Sequence, residues 1–440
     1  MIVMKFGGTS VGNADRIKNV ANIVKSYVEK KPVVVVSAVS GITDKLIELA
    51  NECSQGKGNE IFKHIKKTHY EILKKLGLQK SLIDRDIEEL SKITNQIKIE
   101  KRIEKKILDS VQSFGEQMSS KIVAAQLNKI GVKAQAFNAW DLGFLTDSEF
   151  GSAEPLEITY SNLRESIKNL EIVPVITGFI AKTEYCAITT LGRGGSDYTA
   201  AIVGSAINAD EIQIWTDVDG IMSTDPKIVS NAKNIDKVSF AEASELAYFG
   251  AKVLHPKTIL PAMEKNIPVR VLSSMNPSGN GTIILNKAGK SEQIVKAIAH
   301  KKNITIINVE SSRMLGAYWF LAKLFAVFDK YKKSVDVIST SEVSVSLTID
   351  NEENLDKIVK ELEAMAKVKV LRNKAIICVV GGGIKYTPGV GGRTFTALGK
   401  NNINVEMASQ GASEVNLTFI VDGKEAEKTV KVLHEEFFGE

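Results

Sequence analysis

The apolar positions of the chain fall into short continuous runs separated by amphipathic stretches. IVMKF, near the start, reads as a first strand. Over residues 14–31 the apolar positions recur at helical spacing, with Ile17, Val20, Ala21, Val24 and Val28 on one face. PVVVVSAVSG follows as a β-branched run closed by small residues, which predicts a buried parallel strand feeding a loop. A helix restarts over 44–51. Residues 57–106 change character: KKTHYEILKKLG and ELSKITNQIKIEKRIEKKIL are charged, with apolar residues three and four apart. They predict surface helices, either a hairpin that partly covers a site or solvated helices with no chemistry. From 107 the pattern ILDSVQSFGEQMSSKIVAAQLNKIG is more apolar and more buried. KAQAFNA (133–139), IVPVITGFI (172–180) and EIQIWTDVDG (211–220) read as further strands, with helices at 196–208 and 240–249. Strand and helix alternate to about residue 285, which predicts an α/β domain with a largely parallel sheet. GITDK, GFIAK and GRGGSD all follow strand-like runs, and ligands of such sheets gather beyond the carboxyl ends of strands.

After about residue 290 the units shorten and an internal repeat appears. FLAKLFAVFDKYKKSVDVISTSEVSVSLTID (320–350) parallels GGRTFTALGKNNINVEMASQGASEVNLTFIVD (391–422), each reading helix, turn, strand, turn, strand. An amphipathic helix follows each copy, at 351–366 and 423–437. INVESS and ICVVGGG supply a strand ahead of each. Two small βαββαβ domains are the economical reading, each gaining stability by pairing sheets or packing helices across an interface.

At 440 residues the chain is too long for one core and implies two to four domains. Its net charge of +5 is too small to point to nucleic acid, and suits anionic small molecules. Three cysteines, Cys53, Cys186 and Cys378, lie far apart with no CxxC pair, so free thiols in a reducing compartment are expected. MIVMKFGG lacks the build of a signal peptide, and no apolar run reaches the ~18 residues that span a bilayer. The expectation is a cytoplasmic protein with no membrane or nucleic-acid partner.

The chemistry sits in the loops. In KFGGTS, Gly7 and Gly8 allow a ligand close to the main-chain N–H groups and Lys5 adds a mobile cation, so an anion site and a structural turn both stay open. The pattern is neither GxxxxGK[ST] nor GxGxxG. GRGGSD (192–197) joins glycines, an arginine fork and a helix start, which together suit a carboxylate or phosphate. Asp197 there either orients a lysine or caps the helix. TDVDG (216–220) could be a magnesium site, a nucleotide contact or an Asx-turn. SFGE puts Glu116 in a mostly apolar helix, where a carboxylate needs a cation from a substrate amine or an internal lysine. Of the five histidines, His64, His69 and His434 read as surface residues, and with no HxxH or HExxH a zinc hydrolase is not expected.

In chain order, KFGGTS at 5, VSAVSGITDKL at 36, SFGE at 113, GRGGSD at 192, TDVDG at 216, TDP at 224 and GAKVLHP at 250 resemble the aspartate kinase family of the amino-acid kinase fold. The end repeat, with SVDVISTSEVSVSLT, is similar to that family's paired ACT domains. The resemblance implies an αβα sandwich with a mainly parallel central sheet over 1–288. Two ferredoxin-like ACT domains would follow, over 289–370 and 371–440, in series or nested. It implies ATP-dependent phosphorylation of the side-chain carboxylate of L-aspartate to 4-phospho-L-aspartate, with Mg2+, opening the route to lysine, threonine and methionine and, in bacteria, to diaminopimelate.

Roles implied by the resemblance pass to matching residues. Lys5 would stabilise the transferring phosphoryl group and Asp197 would hold Lys5. Arg193 would grip the α-carboxylate of aspartate and Glu116 its α-ammonium. Gly7, Gly8, Thr9, Ser37, Thr43, Gly194, Gly195 and Ser196 would line the aspartate and phosphate end. Lys5, Gly8, Thr216, Asp217, Asp219, Met222, Asp225 and Lys252 would meet the nucleotide, Met222 standing where many relatives carry a tyrosine. Mg2+ would be held mainly through ATP, with no dedicated protein ligands. Met314, Phe320, Leu321, Val335, Asp336 and Ser341 match an effector motif for L-lysine. MLGAYWFLAK departs from the family form, with Gly316, Tyr318 and Trp319 in place of a histidine and an Arg-Gly pair. A homodimer through the ACT domains is expected, with a tetramer as a further assembly. Other enzymes of the same fold, acting on glutamate, carbamate or a nucleotide, and a non-catalytic amino-acid sensor are the alternatives.

Overall fold

The computed structural model describes residues 1–250, 256–287, 293–311, 314, 319–411 and 415–439. They form two compact units, one of residues 1–221, 236–240 and 256–287 and one of 222–235, 241–250 and 293–439. The segments 222–235 and 241–250, which the sequence reading places in the first domain, therefore pack with the second unit. The boundary expected at 288–289 lies outside the described residues. No helix among those described is long and apolar enough to cross a membrane.

The first unit is built on an eight-stranded sheet. Its order is Ala134–Phe137, Val173–Thr177, Pro32–Val36, Ile2–Phe6, Glu211–Thr216, Val269–Ser273, Thr282–Leu285, Lys237–Ser239. Every pairing is parallel except Val269–Ser273 with Thr282–Leu285. The central strands are buried along their whole length, as their unbroken β-branched runs require when helices cover both faces. On one face Ile2, Met4 and Phe6 join a core with the helices Ala14–Ser26, Ile42–Ser54 and Lys105–Lys129. The opposite face carries Val3 and Lys5, by the strand's period of two. There the helix Gly195–Ile207 packs so closely that a Cβ on Gly204 would stand 2.5 Å from Ile212 Cδ1, with Val3 Cγ2 in ordinary contact at 3.7 Å. A separate three-stranded sheet joins Leu145–Thr146, Ile180–Thr183 and Ile188–Thr190.

The charged stretch 57–106 folds into the helices Asn59–Leu76 and Asp84–Glu100. Their apolar stripes are not idle: Ile65, Ile72, Leu73, Ile87, Leu90 and Ile97 belong to the main core. Two expectations fail here. Val28 is exposed, because the first helix ends at Ser26 and Val28 opens a 3-10 turn off the apolar face. His69 is fully buried rather than superficial. Its Nδ1–H donates to the Ile65 carbonyl (2.8 Å) and burial pushes its pKa down to about 4, so it packs as a neutral ring.

The second unit has one six-stranded antiparallel sheet, in the order Ile338–Thr340, Ser344–Ile349, Ala297–Glu310, Lys367–Val380, Asn416–Asp422, Met407–Ser409. Two long strands, Ala297–Glu310 and Lys367–Val380, run through its middle, and the position 370–371 falls inside the second of them. The halves have separate cores. Ile307, Val309, Phe320, Leu324, Val345 and Leu347 share one, and Ile298, Ile377, Val379, Leu398, Phe419 and Leu433 share the other. The strand end at 297–301 thus serves the C-terminal copy while its continuation serves the first, so one repeat is threaded through the other. His434 is also buried, against expectation. It lies on the inner face of the helix Ala426–Phe438, with Nε2 3.0 Å from Ser223 Oγ.

Candidate functional site

The register of the central sheet gathers the loops. Phe6 pairs with Val36 and Trp215, and Val36 pairs with Thr177, so four strands end together. Gly7 and Gly8, Ser37 and Ala38, Gly178 and Phe179, and Thr216 and Asp217 all leave from that carboxyl edge. The backbone ties them: Gly7 N–H donates to the Trp215 carbonyl (3.2 Å), Ser37 N–H to that of Phe6 (3.1 Å), and Gly178 N–H to that of Val36 (2.9 Å). Thr43 stands in the first turn of the helix that follows the Ser37 loop. Thr9 holds its turn by accepting from Arg16 Nη1 through its carbonyl (2.6 Å).

Lys5 and the GRGGSD loop meet at this edge. Gly192 and Gly194 have φ of 76° and 68°, a left-handed backbone that glycine adopts without steric cost, and they turn the chain sharply into the helix Gly195–Ile207. Asp197 lies in the first turn of that helix, seven residues before Gly204 and so on the same side. As Gly204 meets Val3, Asp197 meets Lys5, with Nζ and Oδ1 2.6 Å apart and side chains only 10% and 13% exposed. Ser196 backs onto Gly178. Arg193 is exposed and makes no ion pair among the described residues. Its guanidinium is available to an anion beside the helix N-terminus.

The long helix Lys105–Lys129 supplies Glu116. A Cβ on Gly115 would stand 2.7 Å from Ala38 Cβ, so glycine is what lets this helix lie against the Ser37 loop. The contact lets Ala38 N–H donate to Glu116 Oε1 (3.0 Å). Oε2 is buried and has no hydrogen-bond partner among the described residues. Burial pushes this carboxyl up to about 8, and only the Ala38 bond and one from its own backbone N–H pull it down. No internal lysine pairs with it among the described residues, so of the two expected partners a ligand ammonium is the one left open.

Of the residues expected to meet the nucleotide, Thr216 ends its strand and donates through its hydroxyl to Asp217 Oδ1 (3.1 Å), while Asp217 and Asp219 are exposed. Met222 and Asp225 belong to the second unit. Met222 bridges Asn234, and Asp225 accepts from Lys227 N–H (2.9 Å). Lys252 lies outside the described residues. Among those described, no group of three or more His, Cys, Asp or Glu could hold a metal ion.

Of the residues expected to hold an effector, Met314, Phe320 and Val335 pack on one core of the second unit, Phe320 wholly buried, whereas Leu321 and Ser341 are exposed. Ser341 is taken up by its own turn, with Oγ 2.7 Å from Ser344 Oγ. Asp336 is not a solvated strand end. Tyr248 Oη donates to it (2.7 Å) and Lys301 Nζ lies 3.3 Å away and also pairs with Asp350 at 3.0 Å. Tyr248, Lys301 and the buried Asp109 were not singled out from the sequence, because their partners are distant in the chain. Gly316 and Tyr318 lie outside the described residues.

The amino acid kinase family model matches residues 1–273 and an ACT domain model matches 377–437. Aspartokinase 2, chloroplastic, of Arabidopsis thaliana is 41% identical over 99% of this chain and 84% of that protein. The Escherichia coli aspartokinase III structure in complex with aspartate and ADP (R-state) aligns over 100% of both chains, with TM-score 0.86 and 37% identity. The same enzyme in complex with lysine and aspartate (T-state) gives TM-score 0.82 and 38% identity over 100% of this chain and 99% of that one. The chain belongs to the amino acid kinase family with a C-terminal ACT region, and within that family to the aspartokinases.

Proposed function

We propose that the carboxyl edge of the first unit binds L-aspartate between Arg193 and Glu116 and presents its side-chain carboxylate to ATP beside Lys5. The enzyme is an aspartate kinase, giving 4-phospho-L-aspartate and ADP. The observation that carries the site assignment is the convergence there of the Lys5–Asp197 pair and the unpartnered, buried Glu116 Oε2. Glu116 takes the α-ammonium and Arg193 the α-carboxylate, leaving the β-carboxylate free to act.

That carboxylate is already ionised near neutral pH, since an unperturbed Asp titrates near 4. No general base is needed. A carboxylate oxygen attacks the γ-phosphorus, the bond to the β–γ bridging oxygen breaks, and that oxygen leaves with ADP. The obstacle is repulsion between two anions. At an effective dielectric of about 20, one unit charge 4 Å from another is worth roughly 4 kcal/mol, so a few cations near the reaction centre supply a useful share of the barrier reduction. Lys5, fixed by Asp197, and Arg193 are such cations on this edge, and Lys252 is assigned to the nucleotide. Mg2+ supplies further neutralisation when bound with ATP, chiefly through the phosphates; the exposed Asp217 and Asp219 suit a hydrated ion at their end of the edge.

For regulation we assign L-lysine to the second unit, with Asp336 facing its ammonium, and a homodimer formed through these units. The ACT match and the lysine-bound relative support the effector. The test is a hydroxamate assay with ATP and Mg2+, offering L-aspartate or L-glutamate, with lysine, threonine and methionine added singly and in pairs. Aspartate-dependent hydroxamate lowered by lysine is expected. Product from glutamate instead would move the acceptor assignment, and indifference to lysine would remove the effector.

A further inference from the structure

Asp109 sits seven residues before Glu116 on the helix Lys105–Lys129, two turns earlier on the same face. It is 1% exposed and forms no ion pair among the described residues. Its carboxylate is spent on main chain and one hydroxyl. Oδ2 accepts from Gly151 N–H and Thr190 N–H, both at 2.9 Å, and Oδ1 accepts from Thr190 Oγ1 at 3.0 Å. Thr190 ends the strand Ile188–Thr190, and Leu191, Gly192 and Arg193 come next. The same short stretch is tied twice more. Ala153 N–H donates to the Thr190 carbonyl (2.9 Å), and Leu191 N–H to the Phe179 carbonyl (2.9 Å). On its far side the Arg193 loop is closed by Gly195 N–H to the Gly192 carbonyl (3.0 Å) and by the Asp197–Lys5 pair.

No cation offsets the burial of this carboxylate; the three donors from Gly151 and Thr190 satisfy it instead. What Asp109 does provide is position: one helix fixes the Ser37 loop through Glu116 and the root of the Arg193 loop through Asp109. We propose that Asp109 is a positioning residue that sets the distance between the Arg193 guanidinium and the Glu116 carboxylate, and thereby the fit of the acceptor's α-carboxylate and α-ammonium. The proposal rests on the reading that those two residues hold the acceptor. It assigns Asp109 no contact with substrate.

The experiment compares wild type with Asp109→Ala, Asp109→Asn and Thr190→Val, measuring kcat, KM for aspartate, KM for ATP and thermal midpoint. Asp109→Ala leaves two buried N–H groups unpaired, and KM for aspartate should rise about tenfold while KM for ATP stays put. Asp109→Asn keeps a carbonyl acceptor for both N–H groups and should restore most of the affinity. Thr190→Val loses only the hydroxyl bond and should shift KM for aspartate in the same direction by less; it carries the test if Asp109→Ala does not fold. Equal rises in both KM values, or unchanged KM for aspartate in a folded Ala or Val variant, would overturn the proposal. Wild type that makes no aspartyl hydroxamate would instead overturn the underlying assignment of the acceptor.

Discussion

Asp197 and Lys5 lie far apart in the first unit's sequence and meet 2.6 Å apart at the edge of its sheet. The meeting follows from two periodicities. Val3 and Lys5 share a strand face, and Gly204 and Asp197 share a helix face, so the packing of Gly204 on Val3 carries Asp197 to Lys5. The pair keeps the ammonium aimed where the loops open, which a free lysine on a flexible stem would not ensure.

Glu116 makes the site pH-sensitive. Its carboxyl is pushed up to about 8 by burial, from an ordinary value of 4.5. An ammonium is held by the carboxylate form, so KM for aspartate should fall as pH rises towards about 8, with a proton released on binding below that. Glu116→Gln should lose that dependence and raise KM for aspartate roughly tenfold or more, as a charge-assisted bond becomes a neutral one. Stability moves the other way. The folded chain holds this proton more tightly than the unfolded one, so its contribution is complete below the unfolded value and is lost as pH rises through about 8. Melting curves of wild type and Glu116→Gln between about pH 5 and about pH 9 should show the variant gaining relative stability with pH.

Gly115→Ala tests whether the helix must touch the Ser37 loop. Alanine gains about 1 kcal/mol of helix propensity over glycine, whereas overpacking costs roughly 1–3 kcal/mol. The added methyl would stand 2.7 Å from Ala38 Cβ. The sum runs from neutral to about 2 kcal/mol destabilising, and the displacement falls on the Ala38–Glu116 bond. A raised KM for aspartate with a modestly lowered thermal midpoint is expected.

Lys301 tests the effector assignment. Its ammonium already sits by Asp336, where an effector ammonium is assigned. Lys301→Met should remove that internal competitor, lowering the lysine concentration for half-inhibition by about tenfold and increasing the thermal shift that lysine produces. Asp336→Asn should abolish both effects. Unchanged inhibition in both variants would move the effector elsewhere.

Much of the fold was legible in the sequence because it rests on local periodicity. The parallel strands read from runs such as PVVVV and the paired repeat from its spacing, and the glycine-bearing loops marked the sheet edge. What escaped was set by contacts remote in the chain. His69 looked superficial because lysines surround it, yet it faces inward on the buried stripe with Ile65 and Ile72. His434 was hidden the same way, since Ser223 is far from it in sequence. Asp109 could have been noticed as a second acid on the buried face of Glu116's helix, but its partners, Gly151 and Thr190, are loop groups with no sequence signal. Tyr248 and Lys301 became visible only when the structure put them on Asp336.

The most direct measurement is single-turnover phosphoryl transfer by Lys5→Met, with aspartate and ADP binding and the thermal midpoint recorded on the same protein. The account expects a folded variant that binds both ligands and transfers phosphate at least about 100-fold more slowly, the scale seen when one preorganised charge donor is lost. Transfer at the wild-type rate by Lys5→Met would contradict it.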